Sequence, residues 1–334
     1  MNNTKSRITN ILIFIILTLM TYFIIFNNRD MSNIFEAIKD VNILYILLGI
    51  LCMFMYFLME SINIKRILKN FNHNISIFKS LKFTLIGFFF SSITPSSTGG
   101  QPAEIYYMSK EKINASVSTL ALLIEVSSFL LCTISLSTIA FIVNPKIVPG
   151  NLVYLFILGT IVSLFILALY TICIFSKKIT KKLVNLAIKI LKLLKIKNID
   201  NIKANIEEGL QKYHNSADYI KNHKKEIILS YVTVFIQIIF FYLVPYCIYK
   251  SLGFTEVNVF RFISLQAILY TTVSFIPLPG SVGISESVFL HIYSIAYPEE
   301  LIATSLLLTR GINFYLFVFI TAIISTVASF KKSK

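Results

Sequence analysis

Side chains that usually build metal, redox or nucleophilic centres are scarce in this sequence. It holds four cysteines and four histidines in 334 residues. Cys52, Cys132, Cys173 and Cys247 each sit inside an apolar run at wide spacing. They form no metal or redox pattern and read as small packing residues. His73, His214, His223 and His291 form no cluster, and only His291 lies near an interrupted apolar stretch. No cofactor is therefore expected. Acidic residues are also few, 16 against 31 Lys and Arg, for a net charge of +15. That balance suits either nucleic acid or an anionic membrane surface. The lysines lie between apolar runs and no RNA-binding motif accompanies them, which is the pattern of the positive-inside rule. No nucleic-acid partner is expected. Long polar stretches are missing too. The longest, Ser176–Glu226, has about fifty residues and is too small for a separate catalytic domain.

What remains is apolar. The chain is 56% hydrophobic with a mean hydropathy of +0.75, beyond the 45–50% typical of soluble domains. The expected fold is all-α and polytopic, with about six full spans and two re-entrant broken-helix pairs. The full spans are read at Ile8–Phe26, Ile43–Met59, Val117–Val143, Leu152–Phe175, Ile227–Val244 and Leu301–Phe330. Ile8–Phe26 follows Lys5 and Arg7 and is read as an uncleaved first span. Lys and Arg in the short loops place both termini in the cytoplasm. Ser176–Glu226 carries thirteen lysines against five acids and belongs on the same side. Within it, Lys178, Lys181, Lys182, Asn185, Lys189 and Lys192 fall on one helical face, away from Leu183, Leu186, Ile190 and Leu194. That is a basic amphipathic helix suited to the anionic lipids of the inner leaflet. The chain divides into a first half, 1–175, a basic linker, 176–226, and a second half, 227–334.

Proline and glycine are few, eight and eleven, yet four of each fall in two short segments. Pro95–Glu104 and Pro277–Glu286 each interrupt an apolar run and each span nine positions. Lipid does not tolerate the unpaired backbone such residues leave, so these segments must face protein or a water-filled cavity. Loop charges bring the first pair in from the cytoplasm and the second, Phe260–Tyr297, in from outside. Opposed broken elements in two halves are the inverted-repeat arrangement of secondary transporters.

Four ionisable residues are placed well inside apolar segments: Glu104, Glu125, Glu286 and Arg310. Facing lipid, each would cost at least about 2.5–3.5 kcal/mol at a helix centre, so they should face a bundle interior. They form either a structural ion pair or a site for a cationic headgroup, protons or Na⁺. Arg310 offers a bidentate fork to a lipid phosphate. Ser92, Ser96, Ser97, Thr98 and Gln101 would complete a polar lining. Half-helix N-termini beyond Gly100 and Gly283 would favour phosphate oxygens.

At these residues the sequence resembles the lysylphosphatidylglycerol synthase transmembrane-region family of flippase-like membrane proteins. TPSSTGGQPAEIYYMSK (Thr94–Lys110) matches its first motif, and IPLPGSVGISES (Ile276–Ser287) matches its second, with Pro279, Gly280, Gly283 and Glu286 at the patterned positions. Glu125 and Arg310 match as well. The resemblance covers nearly the whole chain. It implies movement of lysyl-phosphatidylglycerol or a related phospholipid between leaflets of a bacterial plasma membrane, and resistance to cationic antimicrobial peptides. The substrate-binding residues it implies are Ser96, Ser97, Gly99, Gly100, Gln101, Glu104, Glu125, Pro279, Gly280, Gly283, Glu286 and Arg310. The sequence departs from the pattern at Val126, where the family often has Arg. It also stops at Lys334, where the full synthase continues into a soluble domain that takes lysine from lysyl-tRNA. Phosphatidylglycerol lysyltransferase activity is therefore not expected of this chain alone. Other cargoes consistent with the residues are a polyprenyl-phosphate lipid or an ion-coupled solute. Protein partners would be a second copy or a separate synthase.

Overall fold

A computed structural model describes residues 36–193 and 199–330. The expected first span, Ile8–Phe26, and the C-terminal lysines lie outside the described residues. Every regular element among those described is helical. Five stretches are long and apolar enough to cross a membrane: Ile43–Lys69, Ala115–Val143, Gly150–Phe175, Lys224–Ser251 and Glu299–Phe330. The chain is an all-α, multi-pass membrane protein.

The helices are, in order, α1 (Ile43–Lys69), α2 (Ile77–Ser92), α3 (Gly100–Lys110), α4 (Ala115–Val143), α5 (Val153–Phe175) and α6 (Lys177–Leu193). They continue as α7 (Ile199–Asn222), α8 (Lys224–Ser251), α9 (Val259–Val273), α10 (Ile284–Ile292), α11 (Glu299–Arg310) and α12 (Leu316–Phe330). Polar residues at the loop boundaries start several of them. Asn42, Ser76, Asn114 and Asn258 accept backbone N–H groups at the N-termini of α1, α2, α4 and α9, satisfying donors the first turn leaves open. α5 leaves Tyr154, Ile161 and Phe165 largely exposed, as a lipid-facing helix should.

Two expectations change at this level. The span expected to end at Met59 runs on to Lys69. Glu60 is therefore a mid-helix residue rather than a boundary. The last span is interrupted at Gly311–Tyr315 by one turn of π-helix, directly after Arg310. Such a turn commonly marks a functional site within a helix.

The bundle has two distinct ends. At one, Lys79 pairs with Glu111 at 2.8 Å, and Ser116 Oγ donates to the Gly209 carbonyl at 2.7 Å. There too the Tyr213 hydroxyl donates to the Cys173 carbonyl at 2.9 Å, and Phe71 meets Tyr219 edge to face. This end gathers the lysine-rich loops and is called the basic end below. At the far end, Asn42 N–H bonds the Ser251 carbonyl, and Ile147, Val148, Tyr249 and Tyr297 share one apolar cluster.

α2 and α3 pack on each other as a hairpin that starts and finishes at the basic end, while α9 and α10 form a second hairpin that starts and finishes at the far end. Their tips, Pro95–Ser97 and Pro279–Ser281, touch in the middle of the bundle. The first hairpin packs against α1, α4 and α12, and the second against α4, α5 and α8. The described part of the linker is helical. α6 runs through its lysine-rich part, and α7 folds back to pack on α4, α5 and α8 at the basic end.

Candidate functional site

The two hairpin tips are built from the same local turn. Each opens with proline at the start of a short 3-10 turn, and each follows it with two left-handed residues. These are Ser96 and Ser97 (φ 49° and 55°) after Pro95, and Gly280 and Ser281 (φ 58° and 52°) after Pro279. Left-handed backbone costs a residue with a Cβ about 1–2 kcal/mol, so three serines held there are a strained feature. At Gly280 a side chain is excluded twice over. Its φ is positive, and an added Cβ would collide with the Phe314 ring.

The turn pairs Pro95 with Pro279, not with Pro277 as the equal spacings suggest. Glu104 therefore lies nine residues past its proline and Glu286 only seven. The difference decides what each carboxyl does. Glu286 stands three residues past the N-cap Gly283 and reaches back to it: Gly283 N–H donates to Glu286 Oε2 at 2.6 Å, and Ser285 Oγ donates to the same oxygen at 3.1 Å. Glu286 Oε1 takes Arg310 Nε at 2.7 Å, and its side chain is fully buried. Arg310 Nη2 in turn donates to the Gly280 carbonyl at 3.1 Å, and the guanidinium lies 4.4 Å from the centre of the Phe314 ring. The fork that the sequence offers to a phosphate is thus engaged in holding the second tip. The α10 N-terminus is likewise occupied by its own carboxylate.

Glu104 lies two positions beyond the reach of such a cap. It instead lies against Gly87 of α2, where an added Cβ would occupy the space of the carboxyl. It is buried, and its Oε2 has no hydrogen-bond partner.

Between the hairpins, α1, α4 and α8 lies a cavity of about 290 Å³. Glu104, Glu125 and Arg310 line it, as do Ser97, Gln101 and Gly280. Ser96, Gly99, Gly100, Pro279 and Gly283 are not among its lining residues; they shape the tips. Glu286 sits behind Arg310. The sequence reading missed Glu60, Gln237 and Asn313, which also line the cavity. Glu60 lies one residue past the expected span Ile43–Met59 and so reads as a boundary residue. The apolar residues Ile62 and Ile64 beyond it were the available signal. Gln237 and Asn313 carry no charge and so stand out little in an apolar run.

Three carboxyls, Glu60, Glu104 and Glu125, thus share the cavity with one arginine that Glu286 already pairs. Their hydrogen-bond donors are neutral. Gln237 Nε2 donates to Glu60 Oε2 at 3.3 Å, and Asn63 Nδ2 donates to Glu125 Oε2. From Asn63 a polar chain leaves toward the basic end: Arg66 donates to Asn63 Oδ1 and to Thr233 Oγ1, and its Nε lies 3.8 Å from Glu226. Among the described residues, four cavity-lining oxygens are buried without a hydrogen-bond partner: Glu104 Oε2, Gln237 Oε1, Asn313 Oδ1 and Thr309 Oγ1. Leaving buried acceptors open costs roughly 1–3 kcal/mol each. Among the described residues, His, Cys, Asp and Glu form no group of three or more that could hold a metal ion. The arrangement is suited to a ligand that brings donors and positive charge.

The sequence matches the lysylphosphatidylglycerol synthase TM region over residues 8–321. It is also 24% identical over 305 residues to a UPF0104 membrane protein of Archaeoglobus fulgidus, covering 90% of this chain and 91% of that protein.

Proposed function

The chain belongs to the lysylphosphatidylglycerol synthase transmembrane-region family, and on that premise we propose that it moves a polar lipid between the leaflets of a bacterial plasma membrane. The cargo favoured is lysyl-phosphatidylglycerol or a related phospholipid. Its arrival in the outer leaflet would reduce the negative surface charge that attracts cationic antimicrobial peptides. The observation that carries the reading is the meeting of two opposed broken hairpins at a cavity where three carboxyls stand among apolar side chains. A headgroup needs polar partners such as these carboxyls, because apolar lipid offers it no hydrogen bonds. At about 290 Å³ the cavity suits a headgroup, while the acyl chains stay in the bilayer.

Charge supports the choice of cargo. Among the described residues no cation is bonded to Glu60, Glu104 or Glu125, and the open acceptors call for donors. A lysyl headgroup brings ammonium groups that answer both needs. A polyprenyl phosphate brings more negative charge and no such donors, so it fits this wall poorly. Arg310 we assign to holding the second tip through Glu286 and Gly280. We assign that end, and both termini, to the cytoplasm, and the excess of lysine in the loops supports this reading.

The test is outer-leaflet exposure of lysyl-phosphatidylglycerol in cells supplied with the synthase activity, comparing the wild type with Glu60→Gln, Glu104→Gln and Glu125→Gln. Each amide keeps shape and removes charge. Loss of exposure at wild-type expression supports the reading. Normal exposure in all three variants overturns it.

A further inference from the structure

Helix α6 presents three faces, and the structure accounts for only one of them. Thr180, Val184 and Ile188, at intervals of four, turn toward the protein. Thr180 and Ile188 are buried, and the Thr180 hydroxyl donates to the Cys173 carbonyl. Lys177 pairs with Asp218 of α7. These contacts fix the rotation of the helix. Away from the buried face, Lys178, Lys181, Lys182 and Lys189 are exposed. About a quarter turn further round, at about 100° per residue, stand Ile179 and Leu186, seven residues apart. They are 39% and 54% exposed. Ile179 and Leu186 are therefore not packed on the bundle.

We propose that α6 is an anionic-lipid docking surface, with Ile179 and Leu186 entering the bilayer interface and the lysines beside them meeting acidic headgroups. Two observations select a bilayer as the occupant. α6 begins at Lys177, two residues after the membrane-crossing α5 ends at Phe175, so it starts at the membrane edge and needs no tether to reach it. The apolar and basic faces adjoin, the arrangement of a helix lying in the interface plane with lysines extending their charge to the headgroups. α7 joins this surface to the rest of the molecule: it pairs with α6 through Lys177 and Asp218, and accepts from Ser116 at the start of α4. The inference does not depend on which lipid the cavity carries.

The sequence contains no tryptophan, so a single introduced indole reports on its own site. The full chain carrying Leu186→Trp is reconstituted into vesicles of phosphatidylcholine alone or mixed with phosphatidylglycerol, with brominated acyl chains as quencher. Ile179→Trp serves as a second probe, and Asn185→Trp marks the lysine face. In the mixed vesicles, emission from positions 179 and 186 is expected to shift to the blue and to be quenched. Position 185 stays closer to the emission of a water-exposed indole. Adding Lys178→Gln, Lys182→Gln and Lys189→Gln should lower the docked-to-undocked ratio by about fivefold per lysine, and raised salt should act in the same direction. Equal quenching with and without phosphatidylglycerol would overturn the anionic-lipid assignment. Water-like, unquenched emission at both 179 and 186 would overturn bilayer docking. So would blue emission that the brominated lipid cannot quench, which would mean a protein surface covers the face instead.

Discussion

Glu104 and Glu286 sit in matching motifs and are separated by their distance from a helix start. Glu286, at the third position past its N-cap, is consumed by Gly283 and Arg310; Glu104, two residues further along its helix, faces the cavity with an open oxygen. The two should therefore fail differently. Glu286→Gln breaks a buried ion pair and is expected to lower stability by about 3–5 kcal/mol, read as a fall in thermal unfolding temperature in detergent. Glu104→Gln should stay within about 1 kcal/mol of the wild type while losing lipid exposure. Equal loss of stability in both would mean Glu104 is structural. Gly87→Ala gives an independent handle on the same carboxyl. Its methyl would displace the flexible end of Glu104, so transport should fall with the fold retained. Unchanged transport in a well-folded Gly87→Ala variant would mean the position of that carboxyl does not matter.

At the scale of elements, the broken hairpins are held by backbone geometry that side chains can only partly choose. Proline starts each tip, and left-handed residues turn the chain back. Gly280 should be the most sensitive position, because positive φ and the Phe314 ring both oppose a side chain. Gly253 also has positive φ, at 86°, but open space around it. Gly253→Ala is expected to cost about 1–2 kcal/mol from strain alone. Gly280→Ala should cost more and also disturb the carbonyl that Arg310 holds. Thermal unfolding of the two variants side by side decides this; equal losses would leave Phe314 with no part in holding the tip. The π-turn after Arg310 belongs to the same scale. It shifts the register of the last crossing directly beyond the residue that grips the second tip.

For the whole molecule, the two ends make a prediction about sidedness. Lys110 and Lys178 belong to the basic end, and Lys146 and Glu256 to the far end, where their neighbours Ile147 and Val257 pack together against one apolar cluster. Single cysteines at these four positions, labelled with a reagent that cannot cross the membrane, should divide two and two. In intact cells only positions 146 and 256 should react. Labelling of 178 from the same side as 146 would break the opposed arrangement of the hairpins.

Apolar run length and the pairing of proline with glycine were enough to make the chain a multi-pass helical protein with two interrupted elements, because the bilayer forbids unpaired backbone whatever the tertiary detail. The buried charges Glu104, Glu125 and Arg310 were legible for the same reason. Tertiary structure alone decided the rest. Glu60 looked like the edge of a span until α1 ran past it to Lys69. The equal spacing from Pro95 and Pro277 suggested two equivalent acids, but the turns align on Pro279, and two residues of offset turned one acid into a cap. For Arg310 the sequence left open an ion pair or a fork for phosphate, and the structure pairs it with Glu286. In α6 the pattern gave an apolar face and a basic face. Which residues the protein would bury depended on where α5 and α7 could reach, and they took Thr180 and Ile188, leaving Ile179, Leu186 and the lysines beside them outward.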